Sequence, residues 1–144
     1  MLKFKKFTSK ILDIKNLSRL IRHLKLFTPN NFNFTAGQFV NIEIPIQIGE
    51  NKTTDKKTIK RSYSIVSSPF EKDYIELIVK RVENGPGSTF LHSLKKGDEL
   101  TITGPFGNFI LNEDNNKDLV FISTGTGIAP FMSMIAYLIK SGTK

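Results

Sequence analysis

Lys60-Arg61-Ser62-Tyr63-Ser64-Ile65-Val66 is the stretch whose reading decides the fold. Its β-branched and aromatic residues fit a strand. On a strand, alternate side chains face opposite ways, so Arg61 and Tyr63 share one face and Ser62 and Ser64 the other. Arginine offers a forked, permanently charged donor suited to a phosphate. Tyrosine offers a flat ring for stacking and a polar tip. Serine offers a hydroxyl that donates or accepts at the edge of a ring. Alone, the four residues 61–64 also fit an ordinary strand with one exposed arginine, so their meaning depends on what surrounds them.

Outward from this stretch, the first hundred residues read as short strands. Residues 7–17 and 20–28 are two extended segments joined around Asn16-Leu17-Ser18, and Pro29-Asn30-Asn31 breaks the chain after them. Over residues 38–46, Val40, Ile42 and Ile44 fall on one face and Asn41 and Glu43 on the other, the period of a half-buried strand. Residues 49–58 form a polar loop. Residues 74–82 are a strand with Ile75, Leu77 and Val79 on one face, and Asn84-Gly85-Pro86-Gly87 turns the chain. Ser88 stands where it would cap a short helix carrying Phe90, Leu91 and Leu94. Residues 99–103 supply a further strand. Six strands at short spacing with one small helix predict a closed antiparallel barrel.

After residue 113 the pattern changes. Residues 113–118 are a polar linker. Leu119-Val120-Phe121-Ile122 is a continuous apolar run, as in a strand buried on both faces of a parallel sheet. Ser123-Thr124-Gly125-Thr126-Gly127 is a tight turn, and residues 128–140 read as a helix with Pro130 in its first turn. Apolar residues surround that helix, which predicts burial. Strand, glycine turn and helix open a dinucleotide-binding α/β unit.

With these parts in order, Arg61-Ser62-Tyr63-Ser64 resembles the R-x-Y-S element of the ferredoxin–NADP reductase superfamily, in which a six-stranded barrel binds FAD. Residues 78–91 resemble the family's strand and G-x-x-S turn, where a helix N-terminus suits a pyrophosphate. Thr35-Ala36-Gly37-Gln38-Phe39-Val40 resembles the P-G-Q-F segment, with Ala36 in the usual place of proline. Gly104-Pro105-Phe106-Gly107-Asn108-Phe109 resembles the G-P-x-G-x-F stretch that ends the barrel. Thr124-Gly125-Thr126-Gly127-Ile128-Ala129-Pro130 resembles the nicotinamide-dinucleotide signature, Pro130 standing where G-x-G-x-x-G has its third glycine.

The resemblance implies a mostly β fold: a six-stranded antiparallel FAD-binding barrel with one short helix over residues 1–113, then an incomplete α/β nucleotide-binding unit over 114–144. It implies FAD and NAD(P)H as cofactors. Arg61 would hold the FAD phosphates, Tyr63 would pack on the flavin or ribityl, and Ser64 would sit near the reacting N5 atom as the catalytic residue. Main chain around Ile78 and Lys80 would line the flavin. Gly85, Gly87, Ser88 and Thr89 would cradle the pyrophosphate, and Thr124, Gly125, Thr126 and Gly127 the dinucleotide. One strand and one helix fall short of a nucleotide-binding sheet. The expectation is therefore part of a longer or split FAD-dependent oxidoreductase. Its electron acceptor would be an acidic protein such as ferredoxin or flavodoxin. The alternative is a flavin module completed by a partner chain.

Composition narrows the field. The 144 residues hold no cysteine, which excludes disulfides, thiolate zinc sites and cysteine nucleophiles. His23 and His92 lie apart with no supporting carboxylate pattern, so no metal site is expected. No apolar run approaches the roughly 18 residues of a membrane span, and no signal peptide is read, so a cytoplasmic setting is expected. The net charge is +8. Residues 1–25 carry eight basic residues and one acid, leaving the rest nearly neutral. A basic end suits nucleic acid or an acidic protein, but no aromatic row interleaves with it, which argues against single-strand binding.

Overall fold

The structure, a computed structural model, describes residues 4–47, 56–111 and 118–142. The loop expected over residues 49–55 and the linker expected over 113–117 lie outside the described residues. The six strands are β1 (Lys5–Asn16), β2 (Ile21–Phe27), β3 (Phe39–Gln47), β4 (Lys56–Ser64), β5 (Tyr74–Lys80) and β6 (Glu99–Phe106). Helix α1 (Pro86–Ser93) lies between β5 and β6, and α2 (Ala129–Ser141) follows a 3-10 turn, Gly125–Ile128.

All strand pairs are antiparallel, in the order β4-β3-β6-β1-β2-β5. β1 is the corner. Lys5 to Lys10 pair with β6, Ile11 to Asn16 pair with β2, and the register slips between Ile11 and Asp13. A bulge there bends one strand from one half of the sheet into the other. The ends meet at one bridge, Ile65 to Leu77, supported by Val66 N–H donating to Glu76 O at 2.8 Å. The six-stranded antiparallel barrel is thus closed just beyond the end of β4.

The alternation read from the sequence sets the core. Val40, Ile42 and Ile44 from β3, Ile75, Leu77 and Val79 from β5, and Leu24 and Leu26 from β2 are all fully enclosed. Leu91 of α1 is enclosed with them. Arg22 secures the far end of α1, donating to the carbonyls of Leu94 (3.0 Å) and Leu91 (3.3 Å). Those are orphan carbonyls of a helix C-terminus, where a cation is favoured.

Three expectations change. β4 begins at Lys56, so residues 56–58 belong to a strand rather than to the loop. Residues 119–122 are not a strand among the described residues: Val120 is 80% and Ile122 84% exposed. A buried strand needs neighbours on both edges and cover on both faces, and the described residues supply no pairing partner. Helix α2 is buried on one face only, through Ala129, Ser133 and Met134, while Ile135 and Ile139 are exposed. The buried face rests on the barrel. Met134 reaches Gly37, Tyr137 stacks on Phe70 with ring centres 5.4 Å apart, and Lys140 pairs with Glu71.

Candidate functional site

Strand β4 delivers Arg61 and Tyr63 opposite Ile42 and Val40 of β3. The latter two are core residues, so Arg61 and Tyr63 share the inward-facing surface. They remain accessible because β4 is an edge along this length. Among the described residues β4 pairs only with β3, and closure with β5 waits until Ile65. Along this length no strand of the described residues pairs with the outer edge of β4, which leaves both side chains uncovered on that side.

The N-terminus of α1 is packed against them. A methyl group placed on Gly87 would lie 2.9 Å from Arg61 Cγ and 3.1 Å from the Tyr63 hydroxyl. The helix end is bare: its N-cap is Gly85, no side chain caps it, Pro86 brings no N–H, and no acid lies in the first turn. The N–H groups of Gly87 and Ser88 are therefore first-turn donors without intrahelical acceptors, at the positive end of the helix dipole. Burial pushes the Tyr63 hydroxyl above its ordinary pKa, against the pull of the Arg61 charge, which keeps it neutral and able to donate.

Ser88 does not cap the helix from outside; it is the third residue inside it. Its Oγ accepts the Val82 N–H (3.0 Å) and lies 3.1 Å from Gly85 O. The hydroxyl is spent closing the Val82–Gly85 turn, leaving the backbone N–H as its donor toward a ligand. Thr89 is exposed and lines a cavity of about 500 Å³ with Leu20, Arg81, Val82, Glu83 and Asn84.

Ile78 and Lys80 alternate with the core residues of β5, so their side chains turn away from the core. His92 ties α1 to this strand, its Nε2 lying 3.2 Å from Val79 O. A ring nitrogen facing a carbonyl must carry the proton. Ser64, at the end of β4 opposite Phe39, is half-buried. Alternation puts it on the face away from Arg61 and Tyr63. The structure thus packs Arg61 and Tyr63 against Gly87, with Gly85 and Ser88 in the same helix N-terminus, while Thr89 lines the cavity beside Arg81 and Val82.

Thr124, Gly125, Thr126 and Gly127 lie apart from that cluster, in the 3-10 turn beside β5. Gly125 has φ +55°, and added methyl groups would meet nothing within 4 Å at Gly125 and only Ser123 Cβ at 4.0 Å at Gly127. The turn is open to an incoming ligand. The sequence reading passed over Ser133, whose Oγ donates to Ser67 O at 2.7 Å in full burial. A lone serine within an apolar helix was the available signal.

The family model described as the oxidoreductase FAD-binding domain matches residues 8–110, which hold β2 to β6 whole, β1 from Thr8 onward, α1 and the 61–64 element. The chain belongs to this family. It is 33% identical over 137 residues to the phenol hydroxylase P5 protein of Acinetobacter pittii, covering 94% of this chain and 36% of that protein. It is 34% identical over 144 residues to ferredoxin–NADP reductase B of Sorangium cellulosum, covering 99% of this chain and 56% of that one. Its structure resembles a ferredoxin NADP+ reductase from Neisseria gonorrhoeae with bound FAD and NADP, at 30% identity and TM-score 0.74, over 94% of this chain and 51% of the other. The chain therefore spans about a third to a half of the length of these relatives.

The residues of this FAD-binding domain fit the cofactor its family name states. A diphosphate needs donors and positive charge with little competing acid. The bare α1 N-terminus and Arg61 offer such donors and charge, and Tyr63 offers a neutral phenol against which a flat ring could pack. Among the described residues no cluster of three or more His, Asp or Glu could hold a metal ion, and no helix is long and apolar enough to cross a membrane.

Proposed function

We propose that this chain is the FAD-carrying part of an NAD(P)H-dependent flavoprotein reductase that passes electrons to an acceptor protein. The observation that carries the reading is the packing of Gly87 against both Arg61 and Tyr63, which joins the strand element to the helix N-terminus. The bound flavin supplies hydride acceptance and electron storage. The chain's own residues bind and orient. Arg61 and the N–H groups of Gly87 and Ser88 hold the diphosphate, with Gly85 shaping the turn and Thr89 at its rim. Tyr63 backs the ring, and the β5 main chain at Ile78 and Lys80 lines its edge. Ser64, the residue assigned to assist at the reacting ring atom, follows at the strand end. The turn Thr124, Gly125, Thr126 and Gly127 receives the pyridine dinucleotide, and the barrel and this turn are organised as units of residues 1–113 and 114–144.

An acidic acceptor such as ferredoxin or flavodoxin suits the basic N-terminal end, although several of its cations are engaged internally. Lys6 pairs with Glu43 at 2.6 Å, Lys5 donates to Asn31 O, and Lys25 sits 3.6 Å over the Tyr74 ring. Two relatives are named as reductase components of a monooxygenase and a dioxygenase, which supports an electron-transfer role. The exposed apolar residues of 119–122 and α2 support the alternative in which further protein, in cis or from a partner chain, completes the nucleotide-binding unit.

The test is spectroscopic. The purified chain is titrated with FAD, then with NADPH and NADH under anaerobic conditions. FAD uptake with fluorescence quenching is expected. A chain that binds no FAD overturns the reading, whereas bound FAD that neither nucleotide reduces limits this chain to cofactor carriage.

A further inference from the structure

The barrel closes at a joint built from few groups. Beyond β4 the chain reaches Ile65, which bridges Leu77, and Val66 N–H donates to Glu76 O. Ser67 Oγ then accepts the Glu76 N–H at 3.1 Å. Ser67 is 4% exposed and Ser68 3%. The third member is remote in sequence: Ser133 of α2, with no exposed surface, donates its hydroxyl to Ser67 O at 2.7 Å.

The same joint links the two strands proposed above to seat the flavin. Three residues before Val66 is Tyr63, and two residues after Glu76 is Ile78. Outside this joint, β4 and β5 have no ladder among the described residues. The spacing of the two strands is thus set where the joint holds. Without the Ser133 hydroxyl, Ser67 O would be a buried acceptor lacking its partner, a costly state that the segment can relieve only by moving.

We infer that Ser133 is a positioning residue for the flavin seat: it pins the joint at which β4 and β5 close the barrel, and so couples the helix of the nucleotide-binding unit to the spacing of Tyr63 and the β5 main chain. The flavin part of this inference rests on the FAD reading above; the pinning of the joint does not. Ser133 touches neither substrate nor cofactor and acts through Ser67.

The coupling is separable from ordinary docking of α2. Lys140 also ties α2 to the barrel, through the Glu71 side chain, but seven residues along α2 from Ser133 and with no bond to Ser67, Val66 or Glu76. Ser133→Ala and Lys140→Ala are therefore compared in the 144-residue chain. Amide exchange at Val66 and Glu76, read without flavin, is expected to accelerate tenfold or more in Ser133→Ala and to stay within twofold in Lys140→Ala. The Kd for FAD is expected to rise about fivefold in Ser133→Ala only, with loss of fine structure in the visible flavin band. Ser133→Cys, which keeps the volume and a weak donor, is expected to fall between, and carries the same readings if the alanine variant does not fold. Unchanged exchange at Val66 and Glu76 in the serine variants, or equal effects from Lys140→Ala, overturns the inference. A wild-type chain that takes up no FAD overturns the cofactor reading, while the exchange comparison still decides whether Ser133 pins the joint.

Discussion

Gly87 of α1 and Arg61 of β4 approach so closely that position 87 has no room for a methyl group, which would lie 2.9 Å from Arg61 Cγ. The contact fixes the angle at which the helix N-terminus meets the strand. It gives the first prediction. Gly87→Ala gains helix propensity of roughly 1 kcal/mol and loses contact geometry, so overall stability changes little. FAD affinity is expected to fall about tenfold as Arg61 and the Tyr63 hydroxyl are displaced. Calorimetric melting beside FAD titration checks it; loss of Tm with unchanged FAD affinity would show that the contact serves only folding.

Arg61 gives a test that distinguishes two flavins. Its side chain is exposed, and among the described residues its guanidinium donates to the neighbouring Lys60 O at 3.0 Å. It is therefore available to a phosphate. Arg61→Ala is expected to weaken FAD binding by about 10- to 100-fold, the value of a charged hydrogen bond or two, and FMN binding much less. Equal losses for the two flavins in parallel titrations would place Arg61 at the phosphate they share.

Arg22 tests the other end of α1. Its two bonds to Leu91 O and Leu94 O are partly shielded from water. Arg22→Ala is expected to cost about 1–2 kcal/mol of stability, measured by urea unfolding. Arg22→Lys keeps the charge but not the fork, and is expected to recover only part of the loss.

Acid loosens the seam between α2 and the barrel. The Lys140 ammonium hydrogen-bonded to Glu71 holds this carboxyl below its usual pKa of 4.5. A lowered carboxylate pKa contributes stability that is full above the unfolded value and is lost as pH falls through the folded value. The difference between wild type and Glu71→Gln is thus expected to be constant above pH ~5 and to vanish at lower pH. Lys140 is half exposed, so the size is that of a surface pair, about 0.2–1 kcal/mol. Unfolding curves taken in steps downward from pH 7 measure it; a difference that does not shrink as pH falls would mean the glutamine acts through packing.

The strands were legible because each carries its own instruction. Val40, Ile42 and Ile44, or Ile75, Leu77 and Val79, alternate with polar residues, and any strand with that pattern must turn the apolar set inward. The 61–64 element and the glycine turn before α1 stood out as candidates for a related reason: few residue types offer a phosphate a forked donor or permit so close an approach. The run 119–122 misled because hydrophobicity states a demand for cover and not its source.

By itself, then, the sequence determined the strands, their faces, the short helix and the candidate ligand-holding residues, since these follow from local period and side-chain chemistry. It took the assembled fold to settle that β4 ends the strand order and meets β5 at a single bridge, that the Ser88 hydroxyl is spent on its own turn, and that Ser133 reaches Ser67 across 66 residues. Such contacts depend on where the barrel closes. Closure is set by the joint packing of all six strands, which no single segment encodes.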